Sequence, residues 1–156
     1  MASTVHEGDL DLAHLTSPDG LELPEHVGGC LDLSGLTSAE GLKLPEHVGR
    51  NLDLRGLTMA EGLKLPEDVD GNLYLSGLTT AEGLKMPEHV GGWLGLSGLI
   101  TAEGLKLPLH VGGDIYLWSL DEDEYDQEVH GPRELNGRVH FHEPGDGGVR
   151  PRQRHA

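Results

Sequence analysis

Apolar and polar residues recur along this chain with a period of 21. Residues 23–43, 44–64, 65–85 and 86–106 align without a gap on the pattern LPEHVGGxLDLSGLTxAEGLK, and a fifth copy runs from Leu107 to Leu120. Residues 8–22, GDLDLAHLTSPDGLE, match the later part of a unit, so about five and a half coils are present. Counted from the first Leu of the unit, apolar letters fall at positions 1, 5, 9, 11, 14 and 20. Leu31 and Leu33 show the period of two that a strand requires, and Leu42 and Leu44 repeat it. No window keeps the alternating spacing of three and four that an amphipathic helix needs. Each unit is therefore predicted to hold two very short strands joined by corners.

The corners are marked by residue type. Glycine at position 13 (Gly35, Gly56, Gly77, Gly98) and position 19 (Gly41, Gly62, Gly83, Gly104) permits positive φ, as do the pairs at positions 6 and 7 such as Gly28-Gly29. Proline at position 2 (Pro24, Pro45, Pro66, Pro87, Pro108) has no N–H and should stand where a strand leaves its ladder. A unit this short cannot enclose a core, but stacked units bury a continuous column of Leu and Val while hydrogen bonds run from coil to coil. The predicted fold is all-β: a single β-solenoid, about 26 Å long at a strand spacing of about 4.8 Å.

Such a rod needs its ends covered. Residues 1–7 are expected to form an N-terminal cap, residues 8–120 the solenoid, and residues 121–143 an acidic linker with a capping hairpin. Asn136-Gly137 marks the hairpin turn, and Leu135, Val139 and Phe141 supply its apolar side. Residues 144–156, rich in glycine, proline and charge, are expected to be a flexible tail.

Composition narrows the function. Among 156 residues there are 27 acidic and 11 basic side chains, a formal charge of −16, which disfavours direct contact with nucleic acid or an anionic membrane. Cys30 is the single cysteine and forms no disulfide within the chain. No signal-like start and no long apolar run are present, so a cytoplasmic chain is expected.

The units resemble tandem leucine- and glycine-rich solenoid repeats of the LPxxVGGxLxLxGLT kind in phage and bacterial proteins, and are similar to short bacterial leucine-rich repeats. The match covers residues 8 to about 120. It departs where leucine-rich repeats place Asn, Cys or Thr three residues after LxL, because Leu36, Leu57, Leu78 and Leu99 stand there. The departure favours a β-solenoid over a form with an Asn ladder and a helical side. The resemblance implies binding or scaffolding, with no particular target.

Candidate chemistry is sparse. Position 4 stacks His26, His47, Asp68, His89 and His110 beside Glu25, Glu46, Glu67 and Glu88. The ligand types suit Zn²⁺, but copied corner histidines supply no closed four-ligand set, so no metal and no other cofactor is expected. Glu40, Glu61, Glu82 and Glu103 stack beside Lys43, Lys64, Lys85 and Lys106, which predicts a solvated salt-bridge face. Ser, His and Asp occur mostly as repeated column members, whereas a catalytic set is a unique constellation, and no phosphate-cradling glycine motif opens a helix. An enzyme is not expected.

Differences between copies carry more information. Positions 10 and 12 flank the inward Leu residues and face outward: Asp32 and Ser34, Asp53 and Arg55, Tyr74 and Ser76, Gly95 and Ser97, Tyr116 and Trp118. Position 8 varies as well, through Cys30, Asn51, Asn72, Trp93 and Asp114. Exposed aromatic residues on a strand surface are anchors for protein partners, so Tyr74, Trp93, Tyr116 and Trp118, with Asp53 and Arg55, are the candidate partner-binding residues. The alternative is an acidic decoy for a nucleic-acid-binding protein, using Asp121, Glu122, Asp123, Glu124 and Asp126. Against it, residues 23–106 hold 12 acidic and 6 basic side chains. That net −6 is about half the linear charge density of DNA. The chain is expected to be a monomer or to associate weakly through its coil ends.

Overall fold

The computed structural model describes residues 4–61, 63–121, 123, 125, 131, 132 and 134–141, and among them there is no α-helix. Among the described residues, fourteen short strands form two parallel seven-stranded sheets. The first sheet holds β1 (Val5–His6), β3 (His26–Val27), β5 (His47–Val48), β7 (Asp68–Val69), β9 (His89–Val90), β11 (His110–Val111) and β13 (Glu134–Leu135). The second holds β2 (Leu10–Asp11), β4 (Leu31–Asp32), β6 (Leu52–Asp53), β8 (Leu73–Tyr74), β10 (Leu94–Gly95), β12 (Ile115–Leu117) and β14 (Val139–Phe141). Each strand pairs with its counterpart one coil away, so the chain is a β-solenoid.

The strand at Leu31 lies where the alternation places it. The partner strand does not lie at Leu42–Leu44. It lies beyond Pro45, at His47–Val48, and among the described residues only an isolated Lys64–Lys85 bridge marks the expected place. Proline explains the shift: Pro45 and its equivalents follow position 1 and offer no N–H, so a continuous ladder starts only after them. Leu42 is nonetheless buried and Leu44 partly so, because the inward spacing serves the core without sheet pairing.

The core is a set of aliphatic columns. Val27, Val48 and Val69, then Leu31, Leu52 and Leu73, then Leu33, Leu54 and Leu75, then Leu36, Leu57 and Leu78 have no exposed surface, and Ala39, Ala60, Ala81 and Ala102 are buried with them. Glycine serves two purposes. At position 19, Gly41, Gly83 and Gly104 have φ between 77° and 81°, as expected for a corner. At position 13 φ is not positive; a Cβ on Gly77 would lie 2.2 Å from the Arg55 carbonyl oxygen, so the residue is glycine because the coils touch there.

The ends differ from expectation. Val5–His6 pairs with His26–Val27 and is a regular rung within the segment assigned to a cap. At the other end the Asn136-Gly137 turn joins β13 and β14, but these strands sit in different sheets, on β11 and β12. The element that covers the solenoid end is thus a further coil and not a hairpin. Phe141 and Tyr125 are buried there with ring centroids 5.2 Å apart. The expected tail at 144–156 lies outside the described residues.

Candidate functional site

The outer surface of the second sheet carries the residues that vary between copies. Stacking in register brings position 10 of each coil into one column: Asp32, Asp53, Tyr74, Gly95, Tyr116 and His140. Towards its C-terminal end the column becomes an aromatic cluster. Trp93 meets the Tyr116 ring edge-on at 6.1 Å, Trp118 meets it at 5.1 Å, and His140 stacks on it at 4.8 Å with an interplanar angle of 12°. Trp93 and Trp118 remain 48% and 45% exposed. This geometry leaves two indole surfaces facing solvent on either side of a half-buried tyrosine.

Tyr74 stands apart from these ring contacts. Gly95 separates it from Tyr116, the Arg55 guanidinium lies 5.4 Å from its centroid, and its hydroxyl accepts a hydrogen bond from Asn72 Nδ2 at 2.9 Å. Asp53, expected as an exposed contact residue, is 8% exposed. Arg55 Nε and Nη2 donate to its two carboxylate oxygens at 2.7–3.0 Å, and the Arg55 backbone N–H donates to it as well. That hydrogen bond, with the adjacent negative charge, holds the Arg55 guanidinium above its ordinary range. Asp53 therefore anchors Arg55, which presents the exposed side chain.

Position 8 has a structural purpose that its variation concealed. Asp9 Oδ1 accepts from the Cys30 N–H, Asn51 Oδ1 from Asn72, Asn72 Oδ1 from Trp93, and Asp114 Oδ1 from Arg138, all at 2.7–2.9 Å. This is an Asn/Asp ladder just before LxL, where the sequence reading did not look for one. Cys30 and Trp93 interrupt it, since neither side chain supplies the oxygen. Trp93 is thus a place where a stabilising hydrogen bond is absent and an exposed indole present.

His140 is also outside the sequence reading. It is 7% exposed, its Nε2 lies 3.0 Å from Asp114 Oδ2, and its buried Nδ1 has no hydrogen-bond partner among the described residues. The hydrogen bond to His140 lowers the Asp114 carboxyl from its ordinary value, while burial beside that carboxylate raises the Tyr116 phenol.

The other expected features assemble less fully. Of the acidic run, Asp121 and Asp123 are exposed, and Glu122, Glu124 and Asp126 lie outside the described residues. The Glu and Lys columns at positions 18 and 21 form no ion pair among the described residues. Three of the Glu backbones are instead held by turns in which the Ser38, Thr80 and Thr101 hydroxyls accept from the N–H of Glu40, Glu82 and Glu103. Among the described residues, no helix is long and apolar enough to cross a membrane.

No family model matches the chain, and neither the curated proteins nor the solved structures contain a significant match.

Proposed function

We propose that this chain is a non-enzymatic repeat scaffold, cytoplasmic in setting, that binds a protein partner through the outer face of its second sheet. The observation that carries the reading is the half-exposed indole pair, Trp93 and Trp118, set edge-on against Tyr116. Large, rigid aromatic side chains give contact area at little entropic cost, and they dominate the energetics of protein interfaces. Tyr74 and Arg55 extend the face along the same sheet. The resemblance to bacterial and phage solenoid repeats points to the same class of work.

The acidic decoy is the second reading, favoured by the formal charge of −16 and by exposed Asp121 and Asp123 at the end of the repeats. Salt separates the two. Binding carried by aromatic anchors persists from low to moderate ionic strength, whereas a decoy occupying a nucleic-acid site weakens steeply. The test is affinity capture from host lysate at both salt concentrations, with the wild-type chain beside Tyr74→Ser/Trp93→Ser/Tyr116→Ser. The proposal expects a salt-resistant partner that the triple variant loses while its circular dichroism is unchanged. Retention of the same partner by the folded triple variant ends the aromatic reading.

A further inference from the structure

A second candidate lies on the first sheet and does not depend on the aromatic face. His26, His47, His89 and His110 occupy one column there, with Asp68 in the middle. Three of the four imidazoles have carboxylate partners. His47 Nε2 lies 3.2 Å from Asp70, His89 Nδ1 lies 3.0 Å from Asp68, and His110 pairs with Glu134. His26 differs: among the described residues its ring has no hydrogen bond, and its one ring contact is with His47, at 6.2 Å and tilted by 46°.

Around that imidazole two carboxylates converge. One ligand atom each from Glu25, His26 and Glu46 lies within 4.8 Å of the other two. The backbone fixes their stems: the Glu46 N–H donates to the Glu25 carbonyl at 2.8 Å, and His26 pairs in register with His47. Metal–ligand bonds of about 2.0–2.2 Å require ligand atoms roughly 3.3 Å apart, so closing the site moves each side-chain tip by about an ångström. None of the three side chains is buried, which leaves room for that adjustment.

We propose that Glu25, His26 and Glu46 form a binding site for one divalent transition-metal ion of the Zn²⁺ class, with water completing its coordination. The imidazole selects such an ion over Mg²⁺ and Ca²⁺, which take oxygen ligands. The negative net charge of the chain favours any cation. Lys43 lines the same end of the molecule. Later coils do not repeat the set. His47 is taken by Asp70, position 4 of the next coil is Asp68, and Leu109 replaces glutamate at position 3 beside His110.

The test is calorimetric titration of the tag-free, chelator-treated full chain with ZnCl₂, and with MgCl₂ at the same concentration. A saturable Zn²⁺ isotherm is expected, with no response to Mg²⁺. His26→Ala and Glu46→Gln should each weaken Zn²⁺ binding at least about tenfold, the loss typical of disturbing a metal's supporting residues. These side chains lie outside the aliphatic core, so the variants should keep the wild-type circular dichroism. His89→Ala/His110→Ala should bind Zn²⁺ as wild type does. Absence of saturable Zn²⁺ binding, wild-type affinity in both single variants, or loss confined to His89→Ala/His110→Ala overturns the assignment.

Discussion

At the scale of single residues, glycine shows why one letter repeated at a fixed interval need not have one cause. Gly83 has φ +81° and a Cβ there would meet nothing within 4 Å, whereas a Cβ on Gly77 would meet carbonyl oxygens of Arg55 and Leu57 at 2.2 and 2.5 Å. Gly83→Ala therefore asks only for a strained backbone, at about 1–2 kcal/mol. Gly77→Ala forces neighbouring coils apart and breaks hydrogen bonds between them, so its cost should be the larger, above the roughly 1–3 kcal/mol of ordinary overpacking. Urea unfolding of both variants checks this, and a larger loss for Gly83→Ala refutes the close-approach account. The distinction could not be read from the sequence, because a glycine needed for its torsion and one needed for its missing Cβ are the same letter.

At the scale of the strand, the position 8 ladder separates stability from function. Asn72 accepts the N–H of Trp93, but Trp93 offers nothing to Asp114, whose N–H has no hydrogen bond among the described residues. Trp93→Asn extends the ladder by one rung, and a neutral intramolecular hydrogen bond is worth about 1 kcal/mol. The variant should therefore be as stable as wild type or slightly more so in urea unfolding, while partner capture falls. A marked loss of stability would make Trp93 a packing residue and remove it from the proposed face. The same strands hold a pH effect. Asp114 has its folded-state pKa lowered, chiefly by the hydrogen bond to His140. Its contribution to stability is thus fully present above the ordinary carboxylate range, about pH 4, and is lost as pH falls through the lowered value. Asp114→Asn keeps an Oδ1 acceptor for Arg138 but cannot titrate, so its stability should fall less than that of wild type from pH 5 to pH 3. Parallel pH curves for the two chains would refute this.

At the scale of the whole molecule, stacking was legible because aliphatic side chains at fixed positions have no other way to be buried in so short a unit. The ends were less legible for a physical reason. Successive coils are 21 residues apart up to Ile115, but 24 residues separate Glu134 from His110 and Val139 from Ile115. A gapless alignment cannot follow that insertion, and an Asn-Gly turn between apolar residues then looks like a hairpin. His140 was missed with it, although register alone brings Tyr74 and Tyr116 into one column, with Trp93 and Trp118 against Tyr116. The second strand was misplaced because two residues, His47 and Val48, are too few to show an alternation. One consequence of stacking concerns how stability is distributed along the rod. Leu75 is fully buried between coils on both sides, while Leu12 in the first coil is only partly buried, against a single neighbour. In a molecule whose stability sums over nearest-neighbour contacts, an end coil can be weakened without its loss reaching the middle. Leu75→Ala should therefore cost about 2–5 kcal/mol, as buried Leu truncations do, and Leu12→Ala distinctly less. Native-state hydrogen exchange gives the sharper check. Leu12→Ala should speed exchange of the N–H groups of the first two coils and leave those of Leu73 and Leu94 unchanged. A uniform acceleration over all coils would mean that the solenoid opens as one unit, and that its ends are not where it begins to unfold.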